Sequence, residues 1–378
     1  MPALMVSGDA EPQRSLVVIF LRGGADGLSL VPPVGDDGYH RARPQLRIAA
    51  DQGLRLNELF ALNPSLHELH GLFQRGMLSV IHAAGSEDES RSHFEAQDLM
   101  EHGGLDIAGG WVGRWLRSRQ DGDPRIGGTL AAISLGDEVQ ESLRASPTAT
   151  ALRALDELDR GPDAARLHRQ LASLYAGDTV LAEPAISALA AAERISELHV
   201  GTYRPRADAD YAGTADGEIA VSFSHDLMRV AQLLKARVGI VAACIDLGNW
   251  DSHFIQAQLL EPRMRALSKG LGAFAHDLGD QMAQTTVVVM SEFGRRVREN
   301  ASLGTDHGHG GAMFVLGGGT PGGMHCAWPG LTDGYLDGPG DLPVVHNYRD
   351  VLASVLARHG SSDLSTVFPG YALQPMAV

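Results

Sequence analysis

Cysteine is nearly absent from this chain: Cys244 and Cys326 are the only two among 378 residues, far apart, and Cys244 sits in an apolar run. Two such residues make neither a disulfide framework nor a thiolate cluster, so any metal must take oxygen and nitrogen ligands. Cations are also scarce. Lys and Arg number 31 against 46 Asp and Glu, a formal charge of −15, whereas a nucleic-acid footprint or an anionic-membrane surface needs clustered Lys and Arg. Both kinds of partner are excluded, and a small anionic substrate would need locally positive groups. Long apolar runs are missing too. The longest, such as residues 16–21, have strand length and cannot span a bilayer. The opening MPALMVSGDAEPQRS lacks a basic region followed by a long apolar one. The expectation is a cytoplasmic protein as the sequence stands, exported if a leader has been trimmed.

What is present is ordinary globular material. With 44% apolar and 20% charged residues, the chain can bury a sizeable core. Continuous apolar, β-branched runs mark strands at residues 15–22, 77–85, 129–135, 238–245, 285–290 and 312–319. Helical stretches lie between them: one after Pro64, one beginning near Ser92, one ending near Arg237, one over 256–280 and one after NYRD. Strands that are apolar throughout and alternate with helices indicate a mainly parallel α/β sheet covered on both faces. The expected organisation is a single domain over 1–378. Residues 137–236, rich in Ala, Leu and Glu (LRALDELDR, AARLHRQLASLY, EPAISALAAAERISELHV), read as a helical insertion within it.

In such sheets ligands bind beyond the carboxyl ends of the strands. Four polar groups fall there: Asp26, Asp251 with His253, Glu292, and Asp306 with His307 and His309. A spacing of two puts Asp251 and His253, or His307 and His309, on one side of an extended segment. Carboxylates mixed with imidazoles suit zinc, manganese or iron, as one or two ions, and not an all-oxygen calcium cage. Each group also has a plainer reading. Asp26 in RGGADG can shape a turn, Glu292 can pair with Arg295 or Arg296, and Asp251 can cap a helix. Ser92 in RSHF stands where an N-cap and a nucleophile are equally at home, with Glu95 completing a capping box. His93 is a ligand, a base or a turn partner, and Arg91 and Arg22 are candidate anion clamps. His67, His70, His168, His199, His276 and His325 read as structural.

The order of RGGADGL, RSHFEAQ, GGWVGRWL, WDSHF, VVVMSEFGRR and GTDHGHGGAMFVLGGG resembles the domain of unknown function 1501 family, grouped with alkaline phosphatases and sulfatases. The resemblance covers nearly the whole chain and is weakest in its helical middle. It implies an alkaline-phosphatase-like fold with an Asp after the first strand, matched by Asp26, and a Ser or Thr nucleophile beginning a helix, matched by Ser92. It also implies an Asp and His after a later strand, matched by Asp251 and His253. The next strand typically ends in Asp-His, with a final His further along, where this chain has Glu292 and Phe293 and then His307 or His309; a phenyl ring cannot ligate, so a two-metal site either has lost one ligand or recruits His93, Asp306 or the second DHGH histidine instead. Many relatives carry a twin-arginine signal that this sequence does not show. The implied activity is metal-dependent hydrolysis or transfer of phosphate or sulfate esters through Ser92. The alternatives are an isomerase or lyase on the same fold, or a non-catalytic binding protein.

Overall fold

The computed structural model describes residues 13–104, 107–153, 164–175, 177, 182–197, 203–211 and 217–378. His199 and most of LRALDELDR lie outside the described residues. The central sheet has nine strands: β1 (Ser15–Leu21), β2 (Leu78–Gly85), β3 (Ala132–Ser134), β4 (Thr150–Ala151), β5 (Ala242–Leu247), β6 (Thr285–Met290), β7 (Gly311–Gly317), β8 (Gly323–His325) and β9 (His346–Asn347). Their order is β8-β2-β7-β6-β1-β5-β3-β4, with β9 also on β2. All pairings are parallel except those of β7, which runs against β2 and β6. The α/β reading therefore holds, with one reversed strand.

Alternation within β1 explains the two-sided cover, since successive side chains of a strand point to opposite faces. Val17, Ile19 and Leu21 pack on one face with three helices: α1 (His67–Gln74), α6 (Glu218–Lys235) and α7 (Gln256–Leu278). Leu16, Val18 and Phe20 pack on the other with α2 (His93–His102), α3 (Trp111–Ser118) and α8 (Tyr348–Arg358). Between α3 and α6 lie α4 (Ala164–Tyr175) and α5 (Ala182–Glu197). Leu16, Val17 and Ile19 are wholly buried, each contributing about 1.5–3 kcal/mol. The strand expected at 238–245 begins later. Arg237 turns at φ 53 and Val238 still bonds back to Leu233, so the ladder starts only where Ala242 meets Leu16.

Strand direction decides where the polar loops meet. β1, β2, β5 and β6 are parallel to one another, so the turns after them, at residues 22–26, 86–92, 248–255 and 291–296, leave one edge of the sheet. Because β7 is reversed, the DHGHGG segment before it arrives at the same edge. Close approach there needs glycine. Gly23 takes φ +120, and a Cβ on it would lie 2.4 Å from the Asp251 backbone nitrogen.

Candidate metal centre

Ser92 caps α2, its hydroxyl accepting from the Glu95 backbone, and Gly103 closes the helix in the left-handed conformation. That start places His93 over the strand ends. The loop after β5 brings in Asp251 and His253, and the segment before β7 brings in His307. One ligand atom each from His93, Asp251 and His307 lie within 4.8 Å of one another. His253 Nε2 joins them, 3.0 Å from both Asp251 Oδ1 and His307 Nε2. His307 Nε2 is 3.4 Å from Asp251 Oδ1, and His93 Nε2 is 3.5 Å from Asp251 Oδ2.

The outward nitrogens explain why the inward ones are available. His93 Nδ1 meets Glu292 Oε1 at 2.8 Å and His307 Nδ1 meets the Arg91 carbonyl at 2.8 Å. Those oxygens only accept, so each neutral ring carries its proton on Nδ1 and turns the Nε2 lone pair inward. His253 Nδ1 faces Asp306 Oδ1 at 3.4 Å. Anchoring a ligating imidazole by its far nitrogen is the usual second layer of a metal site. His93 Nε2 is moreover buried without a hydrogen-bond partner. A buried unpaired acceptor costs about 1–3 kcal/mol, and a cation would satisfy it, so the donor set fits a divalent ion of the zinc, manganese or iron type.

The charges agree. The hydrogen bond to Glu292 holds His93 above the ordinary imidazole range, while burial pushes His307 below it. Burial works to raise Asp251, but Arg295, bonded to Oδ1 at 2.6 Å, holds its carboxyl below the usual range. Arg295 is itself buried and fixed by the Gly24 and Thr305 carbonyls at 2.7 and 3.0 Å. Phe293 forms a wall, its ring 4.9 Å from that of His93 and 5.0 Å from that of His307.

Several of the residues singled out in the sequence are placed elsewhere. Asp26 is spent on the buried Arg43, with Ser29, Gln256 and the Leu28 backbone filling its remaining lone pairs. Glu292 lies behind His93, accepting from His93, Gln97 and Gly23 on Oε1 and from Ser291 on Oε2. It pairs with neither Arg295 nor Arg296. Asp306 backs His253, and Arg296 stands 3.8 Å from it. His309 does not follow His307; it is buried, bonded to the Ser86 carbonyl at 2.9 Å and facing Asp337. Neither proposed anion clamp is free. Arg91 holds Asp341, and Arg22 holds Glu101 and Asp246. Among the described residues the sequence reading missed Gln97 and Arg43, and it missed the bond from Arg295 to Asp251. Gln97 was findable, being four residues after His93 on the same helix face.

Glu292→Gln is expected to keep the fold and lower metal affinity about 10- to 100-fold, the usual cost of losing a backing partner. Titration against a chromophoric chelator measures it; a loss as large as that from removing Asp251 would make Glu292 a ligand instead.

Residues 136–376 match the family model described as "Protein of unknown function (DUF1501)". The chain belongs to that family. No curated protein matches it. Among solved structures it is similar to Ps i-CgsB in complex with k-i-k-neocarrahexaose, at 12% identity over 95% of this chain and 75% of that one, with a TM-score of 0.40. The C-terminal periplasmic domain of EcEptC from Escherichia coli, in complex with Zn, is 9% identical over 81% of this chain and 73% of that one, with a TM-score of 0.34. PH0037 from Pyrococcus horikoshii is 13% identical over 81% and 86% respectively, with a TM-score of 0.29. No helix among the described residues is long and apolar enough to cross a membrane.

Proposed function

We propose that the chain is a metal-dependent hydrolase or transferase of the alkaline-phosphatase and sulfatase type, acting on phosphate or sulfate esters as a single α/β domain with its helical insertion at about 137–236. The observation that carries this reading is the convergence of the His93 and His307 Nε2 lone pairs on Asp251, with His253 beside them. His93, Asp251 and His307 would hold one zinc, manganese or iron ion, and His253 would complete the set. A divalent ion there supplies Lewis acidity, offsetting negative charge that develops on the ester oxygens. One ion is favoured over two because Phe293 offers no lone pair and Asp26, Glu292 and His309 are committed to protein donors and acceptors.

Ser92 is the nucleophile in this reading. Its Oγ accepts from Glu95 N at 3.5 Å as a cap, which leaves the hydroxyl proton free to be given up, and it precedes His93 directly. Arg295 keeps Asp251 ionised, so the carboxylate meets the metal without first losing a proton.

Chromogenic phosphate and sulfate esters, assayed with zinc or manganese and again with chelator, test the proposal. Metal-dependent turnover on either ester supports it; metal content of one equivalent with no ester turnover would move the chemistry to another class. Ser92→Ala is expected to abolish that turnover with metal content intact. A capping role alone would instead cost about 1 kcal/mol of stability with near-normal rate, so melting and rate in this one variant separate the two.

A further inference from the structure

The geometry points to an apolar recognition surface beside the metal centre, formed by Phe94, Phe254, Ile255 and Leu303, which selects esters whose anionic group carries a bulky aryl or alkyl substituent. The inference rests on the metal-centre reading for its anionic end. Large apolar side chains in the open are few among the described residues, and these four are 85%, 56%, 42% and 43% exposed. Each neighbours the metal centre along the chain or through one loop bonded to it. Phe94 follows His93 in the chain, and Phe254 and Ile255 follow His253. Leu303 sits on the loop whose Asn300 side chain bonds the His253 carbonyl at 2.9 Å. That loop is joined to Ile255 and its neighbour by two backbone bonds, Ile255 N to Ser302 O at 2.9 Å and Gln256 N to Leu303 O at 2.8 Å.

Backbone strain is a second, independent sign. Ile255 has φ 38 and ψ 41, and Leu303 has φ 60, conformations that a β-branched or bulky residue rarely adopts. Such strain costs of order 1–3 kcal/mol per residue and collects at ligand-contacting sites. Here it holds two apolar side chains where solvent reaches them, so stability alone does not account for isoleucine and leucine at these positions. The charge pattern fits as well. The guanidiniums of Arg22, Arg91 and Arg295 are all taken by carboxylates, so an anionic head has the metal to bind and few free cations. Contact beyond the head then falls to the four apolar side chains, which match the non-ionic part of an ester.

The test is a series of n-alkylphosphonates, methyl to octyl, titrated calorimetrically into zinc-loaded protein. Affinity is expected to rise about two- to fourfold per methylene, the upper value being full burial of each group. In the Phe94→Ser/Phe254→Ser variant the series is expected to flatten, while zinc content and methylphosphonate affinity stay as in the wild type. A flat series in the wild type, or an undiminished slope in the variant, overturns the proposal. Equal binding of the variant's parent to neutral phosphatidylcholine vesicles with and without chelator also overturns it, because the surface would then serve a lipid interface unconnected to the metal. A protein that retains no zinc yet keeps the chain-length slope sinks the metal reading and leaves the apolar surface standing; zinc retained with a flat slope does the reverse.

Discussion

Asp251→Asn and His307→Ala are each expected to bring metal content from one equivalent to a small fraction of that after dialysis, with the protein still folded. Both side chains put an atom into the convergent group, and loss of a direct ligand should exceed the 10- to 100-fold expected of a backing partner. Asparagine is the instructive choice at 251. Its carbonyl still accepts from Arg295, which is buried and would otherwise lose a hydrogen-bond acceptor together with its counter-charge, the Gly24 and Thr305 carbonyls remaining as its other acceptors. Asp251 itself is 45% exposed in its side chain, so its replacement opens no cavity. Elemental analysis after dialysis, with a melting curve for each variant, reads the two effects apart. A wild type that binds two equivalents, or an Asp251→Asn protein that keeps its metal, would contradict the arrangement described.

Six of the nine strands were legible because each is a short apolar run, a pattern that buried strands share, whereas β4, β8 and β9 are two- or three-residue pieces (TA, GMH and HN) with no such run to mark them. The C-terminal ends of the legible strands place Asp251, His253 and Glu292 at one edge without any knowledge of contacts, whereas His307 joins them only because β7, which follows it, runs the other way. What could not be read was which side of each loop a side chain takes. Alternation grouped His307 with His309, yet Gly294 bonds the His309 carbonyl and the residue packs under the turn after β2, so the two rings part. Glu292 has the chemistry of a ligand and the position of one. It is set behind His93 because Gln97 and the Gly23 backbone, 195 and 269 residues away in sequence, occupy the same oxygen. Periodicity says nothing about partners at that separation. The sequence leaves His93 as ligand, base or turn partner, and its place in the convergent group follows from the helix cap at Ser92, a local feature that the sequence does display.

Arg43→Met should cost roughly 3–5 kcal/mol of stability, the usual penalty for stranding one member of a buried ion pair, with little effect on metal content. Asp26 is 1% exposed and Arg43 wholly buried. Arg43 Nη1 and Nη2 reach the two Asp26 oxygens at 2.5 and 3.0 Å, and Nε and Nη2 also bond the Val297 and Arg296 carbonyls at 2.9 Å each. Gln256 at the start of α7 donates to Asp26 and accepts from Thr305. The pair therefore ties together the turn after β1, the segment after β6, the start of α7 and the loop before His307. Burial works to raise the Asp26 carboxyl, but the Arg43 charge, with hydrogen bonds from Arg43, Ser29 and Gln256, holds it below its ordinary value. A depressed folded pKa means that the contribution is complete above the unfolded value of about 3.9 and is lost as pH falls through the folded one. Without the guanidinium, burial dominates and the folded pKa rises above the unfolded one. The sign of the linkage then reverses: the variant should lose stability as pH rises from about 4 toward its raised pKa, where the wild type does not. Denaturant melts of both proteins between pH 4 and 8 measure this directly, and adding Asp26→Asn to Arg43→Met should remove the pH slope. If Arg43→Met instead lost its zinc with unchanged melting, Asp26 would belong to the metal centre after all.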